Sequence, residues 1–203
     1  MPRTIRTMAA LGALSLAGVS AMADIEPVSF TVDASSVQVA GHNLKLNGAG
    51  VSSRLMFKIY AMGLYLPDRR NTVQDILRQD EPRRLVIRLL RDVDGSSFNA
   101  MMGDYARTDG AALPPHVIQN LAQLAQLLGA RPQGLRNGDV LTFDWVPGTG
   151  TVVGINNRAV LEPVRGADFY HALLNIWLGD KPADPGLKTQ LLGRDMGFAR
   201  ASH

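Results

Sequence analysis

The sequence predicts an α+β fold in which an antiparallel sheet is covered by helices. Three observations carry this expectation. Segments of period-two apolar patterning fall into two groups, each followed by segments of helical periodicity, so strands and helices are segregated instead of alternating. Composition agrees: 203 residues, 46% hydrophobic and 19% charged, supply one sizeable core and are too apolar for a disordered polymer. Turn chemistry is the third, because Pro147-Gly148-Thr149-Gly150 and Asn156-Asn157 join successive strand-like runs into a meander.

Residues 1–23 form a unit of their own. Arg3 and Arg6 make a basic start, Met8 to Val19 an apolar stretch, and Ala21-Met22-Ala23 a small-residue site, the layout of a secretory signal peptide cleaved before Asp24. About a dozen continuous apolar residues are too few for a membrane span, which needs roughly 20. No later run is long enough, and the absence of cysteine closes the acyl-anchor route. The expected product is a soluble exported domain, 24–203, with the bacterial periplasm as its destination. The formal charge of +3 reflects 21 basic and 18 acidic residues, and two of the basic ones are in the leader. The mature chain is therefore near neutral, and the pI of about 9.5 is no nucleic-acid footprint. Zero cysteines exclude thiol, disulfide and thiolate–metal chemistry, leaving stability to the core.

The elements follow in order. Val28, Phe30 and Val32 alternate, Val37 and Val39 continue the pattern, and Leu44 and Leu46 lead into Asn47-Gly48-Ala49-Gly50, read as a turn. Ser52 to Leu66 reads as one strand, with Ser53, Leu55, Phe57, Ile59 and Ala61 on one face and Ser52, Arg54, Met56, Lys58 and Tyr60 on the other. Thr72 is placed to cap a short helix to Gln79, and Arg84 to Arg91 is strand-like. Seven arginines and six acids between Asp68 and Asp94 suggest a solvated, internally paired surface. Ser96–Arg107 and Pro115–Leu128 are helical, the latter through Val117, Leu121, Leu124 and Leu128. Strands Val140–Val146 and Thr151–Ile155 precede an amphipathic helix over Phe169–Leu178 and a last helix capped by Asp184.

Catalytic signatures are missing. His42, His116, His171 and His203 have no partner at metal-ligand spacing, so neither a metal nor another cofactor is expected. There is no Gly-x-Ser-x-Gly elbow, and Gly148-Thr149-Gly150-Thr151 lacks the Lys-Ser/Thr ending of a phosphate loop. Asp139 and Asp144, five apart on a strand, face opposite ways. The remaining candidates are Arg54 and Tyr60, a guanidinium fork and a phenol able to hold a carboxylate or phenolate; the alternative is a snorkelling Arg54 beside a core Tyr60.

Leu46-x-Gly48-Ala49-Gly50-Val51 followed by Phe57-Lys58-Ile59-Tyr60-Ala61-Met62-Gly63-Leu64-Tyr65-Leu66 resembles the hallmark strand pair of the chalcone isomerase-like family. Gly138-Asp139, Phe169-x-x-Ala172-Leu173-Leu174-x-Ile176-Trp177-Leu178-Gly179 and Leu187-Lys188 resemble its later hairpin and C-terminal helices. The resemblance implies an open-faced β-sandwich with an apolar cleft between sheet and helices. In the family's enzymes an arginine after Gly-x-Gly-x stabilises an oxyanion, a threonine on the next strand orders a polar network, and a Tyr/Asn pair seven apart completes the site. Here Ser52 stands at the arginine position, Tyr60 at the threonine position as in the fatty-acid-binding branch, and Ile176 where a Ser/Thr is found. No tyrosine precedes an asparagine by seven; Leu113 stands before Asn120. Loss of the main electrophile removes about 3 kcal/mol or more of transition-state stabilisation, so chalcone cyclisation is not expected and no catalytic residue is assigned.

The expectation is a non-catalytic exported protein binding a fatty acid or similar amphipath, with Ser52, Arg54, Tyr60 and Ile176 as ligand-binding residues. Two alternatives stay open. An intramolecular lyase or isomerase predicts an accessible cleft with a perturbed Tyr60 or Lys58. A ligand-free envelope interaction protein predicts a cleft closed by Met56, Met62 and Trp177, with no cavity of about 300 Å³ or more.

Overall fold

The computed structural model describes residues 35–78, 80–108 and 113–194. The leader, the alternation at Val28, Phe30 and Val32, and His203 lie outside them. The described strands form one antiparallel sheet in chain order: β1 (Ser36–Val39), β2 (His42–Arg54), β3 (Phe57–Leu66), β4 (Arg83–Leu89), β5 (Val140–Val146), β6 (Gly150–Ile155) and β7 (Arg158–Ala159). Helix α1 (Val73–Arg78) joins β3 to β4, α2 (Gly95–Thr108) and α3 (Pro115–Gly129) lie between β4 and β5, and α4 (Ala167–Leu178) and α5 (Pro185–Leu191) follow the sheet. The α+β class is as the sequence predicts, with the sheet curled into a half-barrel. Among the described residues no helix is long and apolar enough to cross a membrane.

Helix starts are fixed by side chains, two of them the expected Thr72 and Asp184 and the third Asp94, which sequence reasoning missed. Thr72 Oγ1 accepts the Asp75 N–H at 3.2 Å, Asp94 Oδ1 the Ser97 N–H at 2.9 Å, and Asp184 Oδ1 the Leu187 N–H at 3.0 Å. Each satisfies an otherwise orphaned donor, worth about 1 kcal/mol. The α3 stripe of Val117, Leu121, Leu124 and Leu128 is buried, as its periodicity predicts. Helix α4 is buried nearly all round, from Phe169 to Leu178, because it lies in the core against the sheet and its neighbouring helices. Met62, Leu64, Leu85, Ile87, Leu141, Phe143 and Val153 form the sheet's side of that core. A smaller cluster, Val39, Leu44, Tyr65 and Val86, occupies the opposite face.

Asn47-Gly48-Ala49-Gly50 is not a turn. It lies inside β2, where Leu46 pairs with Tyr65 and Gly48 with Leu64, leaving Asn47 as an extra, bulged residue. The bulge changes which face successive side chains take. Leu44 and Leu46 belong to the outer cluster, whereas Gly48, Gly50 and Ser52 face α5 and the helix layer. Buried Asn47 is held on both sides of its amide: Nδ2 donates to Leu191 O at 2.8 Å and Oδ1 accepts the Arg70 N–H at 2.7 Å. Turn chemistry is thus used to bend a strand and seat a helix.

The single strand expected from Ser52 to Leu66 is two strands. β2 ends at Arg54, Leu55-Met56 form a two-residue tip, and β3 begins at Phe57, with Arg54 opposite Phe57. Apolar tip residues carry no turn signal, which is why the patterning runs through them. The arginine-rich segment also needs correction. Arg83 is a core residue, 2% exposed, whose guanidinium donates to Ile76 O and sits 5.3 Å from the Tyr170 ring centroid. Arg84 pairs across the sheet with Asp144 through two bonds of 2.6 Å, and Asp92 pairs with Arg136 at 2.8 Å, so these partners come from outside the segment.

Candidate functional site

A cavity of about 810 Å³ opens between the sheet and the helices. Ile87, Leu89 and Leu141 supply its sheet wall, Ile176 and Trp177 come from α4, and Ala100 and Tyr105 from α2. Val93 and Leu135, joined by an isolated bridge that ties the segment before α2 to the one before β5, extend the apolar lining. This volume lies within the range of small-molecule sites, roughly 300–1,000 Å³. It contradicts the closed-cleft expectation. Met56 projects into solvent at the hairpin tip, 94% exposed, and Met62 is in the core, so neither fills the cleft, while Trp177 forms part of its wall.

Ser52, Arg54, Tyr60 and Ile176 all line this one cavity. Their arrangement differs from a one-face strand. Ser52 and Tyr60 are cross-strand partners on β2 and β3, so they face the cavity side by side. Arg54 is two residues beyond Ser52 but past a second irregularity, in which Ile59 is the extra residue of β3. It stands exposed at the mouth instead of in the polar row.

The polar row is a hydrogen-bonded chain. Trp177 Nε1–H donates to Tyr60 Oη at 2.9 Å, the Tyr60 phenol and the Ser52 hydroxyl are hydrogen-bonded, and Ser52 Oγ–H donates to Asp184 Oδ2 at 2.9 Å. Asp184 ends the chain because its other oxygen caps α5. Burial pushes the Tyr60 phenol above its ordinary value of 10.0 and the Asp184 charge adds to that rise, outweighing the hydrogen bonds from Ser52 and Trp177. Tyr60 is therefore a protonated phenol at neutral pH, a donor and acceptor between Trp177 and Ser52. Asp184 is the one charged member of the row, and the cavity lining also carries Arg54 and Lys181 as cations and Asp104 as a second acid.

Sequence reasoning missed Lys181 and the second role of Asp184. Asp184 was legible as a cap, but its bond to Ser52, 132 positions away, has no local signature. The other candidate acids are structural: Asp144 holds Arg84, and Asp139 accepts from the Arg136 N–H and Asn156 Nδ2–H at 2.8 Å each. Leu113 packs at the core edge, and Asn120 lies outside the cavity lining. His116 approaches Asp168 at 3.8 Å on the surface, and His171 is half-buried on α4.

A curled antiparallel sheet carrying helices over an amphipathic cleft defines a class of cleft-bearing α+β proteins. The chain belongs to the chalcone isomerase-like family, whose model matches residues 26–193. Among solved structures it is similar to the crystal structure of a fatty-acid-binding protein from Arabidopsis thaliana, with a TM-score of 0.56 and 15% identity over 78% of this chain and 96% of that one. At that identity the likeness shows the fold. No curated protein matches the sequence.

Proposed function

We propose that this is a non-catalytic carrier that binds a fatty acid or similar amphipathic acid in the cleft, as a single domain exported to the periplasm behind a cleaved leader. The carrying observation is the 810 Å³ cavity, apolar where Ile87, Leu89, Leu141 and Ile176 line it, with Arg54 and Lys181 as cations and Asp104 and Asp184 as acids around its opening. An acyl chain fits against Ile87, Leu89, Leu141 and Ile176, burying apolar area at about 25 cal/mol per Å². The carboxylate meets Arg54 and Lys181, and the Tyr60 O–H below them, turned from Ser52 to the ligand, offers one neutral hydrogen bond. The fatty-acid-binding Arabidopsis protein of similar fold supports the ligand class. Catalysis is disfavoured because Ser52 stands at the family's arginine position with its hydroxyl committed to Asp184.

The test is to express the full chain, purify the product that accumulates, extract it with solvent and identify bound lipid by mass spectrometry. Delipidated protein is then titrated with palmitate in a calorimeter. Saturable one-site binding weakened by Arg54→Ala is the expected result. An empty protein that ignores palmitate overturns the reading, and turnover of an added substrate that is lost on Tyr60→Phe establishes an isomerase or lyase in its place.

A further inference from the structure

The tip of the β2–β3 hairpin breaks the usual rules for an exposed turn. Leu55 is 93% exposed, Met56 94% and Phe57 57%, three consecutive large apolar side chains at the apex of a hairpin. Among the described residues, the one other large hydrophobic side chain so classed is Ile118, at 37%. Leu55 also holds φ at +56°, at the turn position that glycine ordinarily takes. A residue with no hydrogen-bonding side chain thus accepts an unfavourable backbone conformation to stand in water. Nothing in the packing of the sheet gains from it.

The surroundings of the tip are cationic. Between His42 and Leu66 the hairpin carries Lys45, Arg54 and Lys58 and no acid, and Lys45 is occupied by Asp68 at the far end. Arg54 and Lys58 flank the tip, and the Arg91 guanidinium lies 4.7 Å from the Phe57 ring centroid. The acids that follow Arg91 in the chain are engaged by other groups: Asp92 by Arg136 and the Asn137 N–H, and Asp94 by Ser96 and Ser97. Ser53 and Arg54, which lead into the tip, also line the cavity mouth.

We propose that Leu55, Met56 and Phe57 form a wedge that inserts into the interface of an anionic lipid bilayer, with Arg54, Lys58 and Arg91 against the lipid head groups and the cavity mouth brought to the membrane surface. A bilayer suits these features better than a protein partner. A stable protein interface needs a complementary patch of about 800 Å² on each side, whereas a two-residue apex penetrates a fluid surface with no matching pocket. An apolar point ringed by cations is the pattern that combines hydrophobic insertion with attraction to anionic lipid. Docking stands on the hairpin alone. The exchange of an amphipath between bilayer and cleft rests on the carrier reading as well.

The experiment is flotation of delipidated protein with vesicles of phosphatidylethanolamine containing phosphatidylglycerol, and with vesicles of phosphatidylcholine alone. The wild type should float with the anionic vesicles, and added salt should weaken the association. Leu55→Gly with Met56→Asn puts glycine at the position whose φ is positive and installs a favoured two-residue turn, so the fold is retained by melting curve while vesicle affinity falls about tenfold or more. Lys58→Glu should weaken binding to anionic vesicles and leave phosphatidylcholine unaffected. Met56→Trp should shift its emission to the blue on adding anionic vesicles. A wild type that stays unbound, or a folded Gly-Asn variant that binds as well as wild type, overturns the proposal. So does a concentration-dependent dimer that the Gly-Asn change abolishes in the absence of vesicle binding. Since no free fatty acid is added in this assay, failure of docking leaves the palmitate titration standing, and the reverse holds too.

Discussion

Gly48→Ala tests whether β2 seats directly on the backbone of α5. A Cβ at Gly48 would lie 2.2 Å from Gln190 O and 2.5 Å from Leu191 O, where ordinary contact begins near 3.4 Å, so helix and strand must separate by roughly 1 Å. The helix has little freedom to move. Leu187 and Leu191 are buried, and Asn47 Nδ2 holds Leu191 O at 2.8 Å. Overpacking costs about 1–3 kcal/mol and loss of the Asn47 bond about 1 more. At about 2–4 °C per kcal/mol for a chain of this size, the melting temperature should fall by about 10 °C.

Two further glycines give the comparison a scale. At Gly50 the colliding atoms are the Gln190 side-chain amide and Leu187 Cδ1. The Gln190 oxygen has no partner to lose, so Gly50→Ala should cost about 1–2 kcal/mol. At Gly41 nothing lies within 4 Å of the new Cβ, and the cost is the φ of +81° alone, about 1 kcal/mol. Thermal and urea melts of the three variants should rank Gly48 as the most damaging, then Gly50, then Gly41. A Gly48→Ala protein melting within about 2 °C of wild type, or less affected than Gly41→Ala, refutes the direct seating of strand on helix.

Tyr60→Phe removes the acceptor of the Trp177 N–H beside a cavity that water can enter, so it should cost only about 1 kcal/mol in a urea melt. In palmitate calorimetry the same variant should bind about fivefold to tenfold more weakly, through the lost neutral hydrogen bond. Asp144→Ala strips Arg84 of a bidentate partner in a pair whose side chains are 23% and 11% exposed, for about 2–3 kcal/mol by chemical denaturation. His171 is held below its ordinary 6.5 by burial and then by the Arg83 charge, partly offset by Asp168. The unfolded chain therefore takes up the proton more readily, stability falls as pH drops below 6.5, and His171→Gln should flatten that part of the pH–stability curve. Burial raises the Tyr170 phenol, so the folded state keeps that proton longer than the unfolded chain does. Stability should decline above pH 10.0, less steeply in Tyr170→Phe melts.

What was legible in the sequence is what local physics decides. The α3 stripe, the Thr72 and Asp184 caps, the Pro147–Gly150 hairpin and the Asn156-Asn157 turn occur where expected, Asn156 and Asn157 adopting φ of 50° and 65°. Two segments were misread because local cues are ambiguous there. An Asn-Gly-Ala-Gly run supplies the conformational freedom of a turn, and β2 uses it for a bulge and for close approach to α5. Leu55-Met56 supplies strand-like hydrophobicity at an exposed turn, so no local residue marks where the strand ends. The four candidate residues reach the same cavity although the strand meant to align them does not exist as one piece. Ser52 and Tyr60 meet as partners across a hairpin, a relation of register that face-counting along one strand cannot express.

The bulge at Asn47 links the fold to the chemistry. Side chains in a strand alternate with a period of two, so without the extra residue Ser52 would share a face with the outer cluster of Leu44 and Leu46. With it, Gly48, Gly50 and Ser52 turn inward; the two glycines admit α5, and α5 brings Asp184 to the Ser52 hydroxyl. In the family's enzymes the position of Ser52 is an arginine, and here Ser52 is the last neutral link of a chain from Trp177 through Tyr60 to a helix-capping carboxylate. An anionic ligand group placed beside Ser52 would meet that carboxylate, whereas at the mouth it meets Arg54 and Lys181. The position that carries the electrophile in the family's enzymes therefore holds a serine bound to Asp184 here, and the cations that line this cavity, Arg54 and Lys181, stand at other positions.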